Sequence, residues 1–127
     1  MRDGLAQMHA AIVEGRALDL ATNHMPDSPP PGLSTEVVRV TALQRVLARQ
    51  PSERHREHLT SGLYDHAGDF AIRPIRQEFS ITRPHRFAVD TGEDYRRLGA
   101  AARHLQDLHA SAEQVAAWLD GDGVDRR

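Results

Sequence analysis

No cysteine occurs anywhere in the chain, which excludes disulfide scaffolds, thiolate zinc sites and cysteine nucleophiles. Lysine is absent as well, since all 16 basic residues are arginine, so no catalytic lysine can come from this chain. An excess of positive charge is also missing: 16 basic residues face 18 acidic ones, for a net charge of -2 and a pI near 6.4. That balance argues against a nucleic-acid binder and against a polybasic membrane anchor. No apolar run approaches the ~20 residues of a membrane span, and the N-terminus MRDGLAQMHA lacks a signal-peptide hydrophobic region. A cytoplasmic location is the expectation. There is no H-E-x-x-H to support zinc hydrolysis and no G-x-S-x-G to support a serine hydrolase.

What remains is enough for one modest domain, because 127 residues at 39% hydrophobic content can build only a small core. Leu5, Met8, Ile12 and Val13 define one apolar helical face over 4–15, with Gly15 as a stop. Residues 17–23 read as a strand with Leu18 and Leu20 on one side. Four prolines between His24 and Gly32 impose an extended loop, since proline fixes φ and donates no ladder hydrogen bond. Residues 33–40, with Val37, Val38 and Val40, form the clearest strand. Thr41 and Gln44 predict a capping box at the start of a helix that buries Leu43, Val46 and Leu47.

Pro51-Ser52-Glu53 opens a further helix that carries Leu59, Leu63 and Tyr64 to about Gly68. Residues 70–75 and 85–89 are two more short strands. Thr91 to Asp94 and Ser111 to Gln114 are two further capping boxes. The first starts a helix with Tyr95, Leu98, Ala102 and Leu105, the second one with Val115, Trp118 and Leu119. The tail from Gly121 is expected to fray. Alternating helices and strands define an α/β class, with about four short strands and about five helices.

Several residues could carry chemistry. Asp90 ends a predicted strand directly before a helix N-cap, at the carboxyl edge where α/β sheets collect ligands. A carboxylate there is a hard oxygen ligand suited to Mg²⁺, or else it helps Thr91 and Asp94 cap the helix, which the spacing alone favours. Glu36 could accept hydrogen bonds from sugar hydroxyls, or face solvent as a strand residue beside Val37 and Val38. His55 and His58, three apart with His66 beyond them, could begin a zinc site, or the Arg56-Glu57-His58 triplet could order its helix by hydrogen bonds. Arg83 and Arg86 could grip a carboxylate or a phosphate, or simply be solvated.

Four stretches, in order, resemble a known family. Asp19-Leu20-Ala21-Thr22-Asn23, then the proline-rich loop and Gly32-Leu33-Ser34-Thr35-Glu36-Val37, look like "D-x-x-S-N … P-x-G-L-D-x-E-V". Arg56-Glu57-His58-Leu59-Thr60 looks like "R-E-H-V-T" and is followed by Tyr64 and His66. Arg86 to Tyr95 looks like "R-W-T-V-D-T-P-E-D-L". Together they resemble the C-terminal half of the cytidylyltransferases, a family that includes spore-coat polysaccharide proteins and makers of CMP-activated acidic sugars. The resemblance spans roughly residues 4–108 and implies a domain over 1–108, followed by a terminal helix and tail over 109–127.

The resemblance implies a partial Rossmann-like sheet of the nucleotide-diphospho-sugar transferase kind. It implies Asp90 as a Mg²⁺ ligand and Glu36, Arg56, Glu57 and His58 as the sugar-binding side. It also departs from the family at Ser34, where Asp is usual, and at Gly92, where Pro is usual. The family's glycine-containing phosphate loop, in its N-terminal half, is not among these residues. The expected partners are therefore CTP and a sugar within an assembled enzyme, together with a homo-oligomer or a separate N-terminal-half subunit. No nucleic-acid or membrane partner is expected, and the chain alone is expected to be inactive. The alternative is a non-catalytic remnant serving as an oligomerisation or binding module.

Overall fold

The computed structural model describes residues 2–14, 16–24, 29–50, 52–76, 79–81, 83–107 and 109–121. Gly15, residues 25–28 of the proline-rich loop, Pro51 and the tail from 122 lie outside the described residues, as does the Ile12 side chain. The protein is mixed α/β, with a small three-stranded mixed sheet. The chain divides into two compact units, Met1–Asp27 with Thr35–Arg76 and Ser28–Ser34 with Gln77–Arg127. The units interleave along the sequence.

In the first unit, β1 (Leu20–Thr22) is the central strand, antiparallel to β2 (Glu36–Val38) and parallel to β3 (Ile72–Pro74). Helix α1 (Arg2–Val13) packs against one face, where Met8 and Ala11 join Leu18, Ala21 and Ile75. On the other face α2 (Val40–Leu47) and the short α4 (Ser61–Asp65) contribute Ala42, Val46 and Leu63 to a cluster with Leu20 and Phe70. All three β1 residues are buried, because a central strand between two helical layers has no solvent face.

Leu18 and Leu20 therefore do not share a side; each serves a different layer. The cause is local: the N–H groups of Asp19 and Leu20 both donate to the Ala71 carbonyl, at 2.8 and 3.2 Å. Two residues opposite one break the two-residue period, as in a bulge. On α1, Leu5 and Val13 stay exposed, and the smaller Ala11 takes the buried place beside Met8.

The Thr41 capping box does not form. Helix α2 starts two residues earlier, with Arg39 as its N-cap and no side-chain cap. Arg39 is pinned at the strand end by its N–H to the Asp19 carbonyl at 2.8 Å and its Nε to the Leu18 carbonyl at 3.0 Å. Its own carbonyl then accepts from Ala42 and Leu43, which leaves Thr41 inside the helix. The helix expected from residue 51 to 68 is broken into α3 (Glu53–Glu57), α4 and a single 3₁₀ turn at Ala67–Asp69. His58 leaves helical geometry at φ -113° and ψ 86°, and Ser61 returns both its N–H and its hydroxyl to the His58 carbonyl. That turn brings Gly62 onto Val46, so closely that a Cβ at 62 would overlap Val46 Cγ1.

The second unit holds α5 (Gly92–Leu105) and α6 (Ala112–Gly121), which pack on each other with Ala101, Ala116 and Leu119 buried. His104 and Trp118 meet across them with ring centroids 5.7 Å apart. The two C-terminal capping boxes are present. Thr91 and Asp94 exchange hydrogen bonds, and so do Ser111 and Gln114 at 2.7 and 3.3 Å.

The strand expected over 85–89 is absent, so the described residues hold three strands rather than about four. Its hydrogen bonds go to a loop instead of a ladder: the Phe87 N–H donates to the Pro31 carbonyl at 2.6 Å. Gly32, at φ +96°, allows this approach, since a Cβ there would overlap the backbone of Phe87 and Ala88. Among the described residues, no helix is long and apolar enough to cross a membrane.

Candidate functional site

Glu36 is the residue on which the first unit converges. It opens β2 directly opposite Thr22, the last residue of β1, at the carboxyl end of the parallel β1–β3 pair. Tyr64 Oη donates to Glu36 Oε1, and Thr60 Oγ1 donates to Oε2 at 2.6 Å. Tyr64 Oη also lies 3.0 Å from Thr22 Oγ1, which accepts from the His24 N–H at 3.0 Å. Beside them, Asn23 Oδ1 accepts from the Thr35 N–H at 2.6 Å, which ties the end of β1 to the start of β2.

Proton counting fixes the direction of every bond in this row. A carboxylate only accepts, so Tyr64 must spend its single proton on Glu36. Its oxygen can then only accept from Thr22, so Thr22 must donate to Tyr64 and accept from His24. Thr22 is fully buried and Glu36 is exposed, so the row runs from the core outward to a carboxylate at the surface. Burial first, then the hydrogen bond and negative charge of Glu36, push the Tyr64 phenol well above the usual tyrosine range. Tyr64 is therefore a lasting proton donor to Glu36.

Of the other expected sugar-side residues, Arg56 and Glu57 lie exposed on α3, and His58 forms the turn that leads into α4. Their backbone positions Thr60 and Tyr64. Thr22, Thr60 and Tyr64 are the members that sequence reasoning did not single out, although Thr60 and Tyr64 stand within or next to the R-E-H-L-T stretch. A polar hydroxyl beside the buried Leu63 was the available signal.

Asp90 lies in the second unit and is exposed. Its carboxylate accepts from Arg86 in an i,i+4 ion pair, and its N–H donates to Asp94 Oδ2 at 3.2 Å. Asp94 is committed to the α5 cap, and the hydrogen bond from Thr91 holds its carboxyl below the ordinary range. Mg²⁺ takes one or two carboxylates with substrate phosphates. Asp90 is thus paired with Arg86, and Asp94 is spent on the cap. Among the described residues, no three His, Asp or Glu side chains are gathered to hold a metal ion. His55 Nε2 bonds Asp65 at 2.7 Å. Arg83 and Arg86 each face an acid of the chain itself, Asp120 at 3.7 Å and Asp90.

The first unit also carries an apolar groove of about 290 Å³ lined by Val40, Leu43, Val46, Leu47, His55 and Leu59. No family model, no curated protein and no solved structure matches the chain.

Proposed function

We propose that this chain is the sugar-binding side of a cytidylyltransferase-like nucleotidyltransferase, built on part of a nucleotide-diphospho-sugar transferase sheet. In this reading a separate nucleotide-binding half supplies the site for CTP and Mg²⁺. A sugar hydroxyl attacks the α-phosphorus of CTP, the bond to the leaving pyrophosphate breaks, and the CMP–sugar bond forms. The single observation that supports the reading is convergence. Three of the four family-like stretches, 19–23, 32–37 and 56–60 with the Tyr64 that follows it, meet in one row of hydrogen bonds around Glu36, although Thr22 and Tyr64 lie 42 positions apart in the chain. A carboxylate held by hydroxyls at a strand's carboxyl end suits a sugar.

The test is co-expression with a neighbouring reading frame that carries a glycine-containing phosphate loop, followed by a pyrophosphate-release assay with Mg²⁺·CTP and candidate sugars. Release that needs both chains and falls in Glu36→Ala is the expected result. The lack of such a frame, or a mixture that neither binds Mg²⁺·CTP nor releases pyrophosphate, ends the enzymatic reading. The second reading, a non-catalytic oligomerisation or binding module, is favoured by the apolar groove beside α2 and by the Arg86–Asp90 pair.

A further inference from the structure

We propose that the solvent-facing side of the Glu36 carboxylate recognises hydrogen-bond donors of a sugar, hydroxyl or ammonium, and turns away sugar carboxylates. The inference deepens the sugar-side reading and rests on it only for the ligand class.

Arginine neutralises several acids among the described residues but not Glu36. Asp19, Asp65, Asp69, Asp90 and Asp120 each have an arginine partner. Among the described residues no arginine pairs with Glu36, which is held by the hydroxyls of Tyr64 and Thr60 alone. Two neutral donors fix the carboxylate without cancelling its charge. An exposed glutamate ordinarily loses side-chain freedom when it meets a ligand; here that ordering is done in advance.

The direction of the hydroxyls decides what a ligand encounters. The protons of Thr22, Tyr64 and Thr60 are all consumed within the row, so none of these hydroxyls offers its proton outward. A carboxylate has about four lone-pair positions, and two are filled, which leaves acceptors facing solvent. Acceptors complement a sugar's O–H groups and, more strongly, an ammonium. A ligand carboxylate brought to the same point would meet like charge. If the natural sugar is acidic, its acid group points away from Glu36.

The test is a titration of the ¹⁵N-labelled full chain at neutral pH, followed by amide shifts, with D-glucosamine, D-glucose and D-glucuronate as probes. Glucosamine, and more weakly glucose, should shift the amides of 22–24 and 60–64 saturably in the millimolar range. Glu36→Gln keeps one acceptor oxygen and removes the charge, so it should weaken glucosamine by about fivefold or more. Tyr64→Phe, which frees the carboxylate, should weaken both sugars. Glucuronate binding as tightly as glucosamine, an unchanged Glu36→Gln, or no shift with any probe overturns the inference. Sugar binding without CTP turnover in the co-expression assay would end the enzymatic reading and leave this inference standing.

Discussion

At the scale of single residues, Thr91 does most for α5. Its Oγ1 accepts from the Asp94 N–H at 3.1 Å, while Asp94 Oδ2 accepts from the Thr91 N–H at 3.0 Å. Two helix-end donors are satisfied by two neighbouring side chains, so the box was readable directly from the sequence. Thr91→Ala should cost about 1 kcal/mol in urea denaturation, and a value within error of zero would show that the cap contributes nothing. The Thr41 box had the same residue pattern and failed, because Arg39 is anchored by strand neighbours that no four-residue window contains. Asp90 illustrates the same competition. Its carboxylate is paired with an arginine four residues earlier, a partner that its place before the α5 cap does not reveal.

At the scale of elements, α4 packs on α2 at close range. Gly62 faces Val46, a β-branched residue with little rotamer freedom in a helix. Alanine favours helix over glycine by about 1 kcal/mol, but the added Cβ must displace the Val46 methyl inside a closed core. The steric effect should win, with Gly62→Ala losing about 1–3 kcal/mol in chemical denaturation. Gly68 has nothing within 4 Å of its would-be Cβ, so Gly68→Ala serves as a control that should be near neutral. Equal effects at the two positions would refute the close join. The periodicity of Leu59 and Leu63 predicts one long helix, yet Leu59 ends up exposed while Leu63 is buried. The pattern recorded a helical tendency and could not record the turn at His58. Residues 85–89 have strand-like composition, but a strand needs a neighbour, and theirs is the loop around Pro31.

At the scale of the whole molecule, ionised carboxylates stabilise both units. The hydrogen bond from His55 lowers the Asp65 carboxyl, the one from Arg49 lowers Asp69, and the one from Thr91 lowers Asp94. Each binds its proton more weakly folded than unfolded, so its contribution is complete above the unfolded aspartate value near ~3.9. It is lost as pH falls through the depressed folded values. Thermal melts followed by circular dichroism should therefore lose melting temperature progressively below about pH 4. An unchanged melting temperature between pH 6 and the acid end would contradict these pairings.

The sequence by itself determined the α/β class, the N-termini of α5 and α6, and the stretches that later meet. Those features depend on side chains within a few residues of each other, where spacing is geometry. Only the tertiary structure decided that Tyr64 gives its proton to Glu36 across 28 positions, and that Leu18 and Leu20 serve opposite layers. It also decided that the chain divides into interleaved units. The physical reason is the same in each case: a hydroxyl, a carboxylate or a leucine has several partners of equal local merit, and the choice among them is made by which backbone segments pack together.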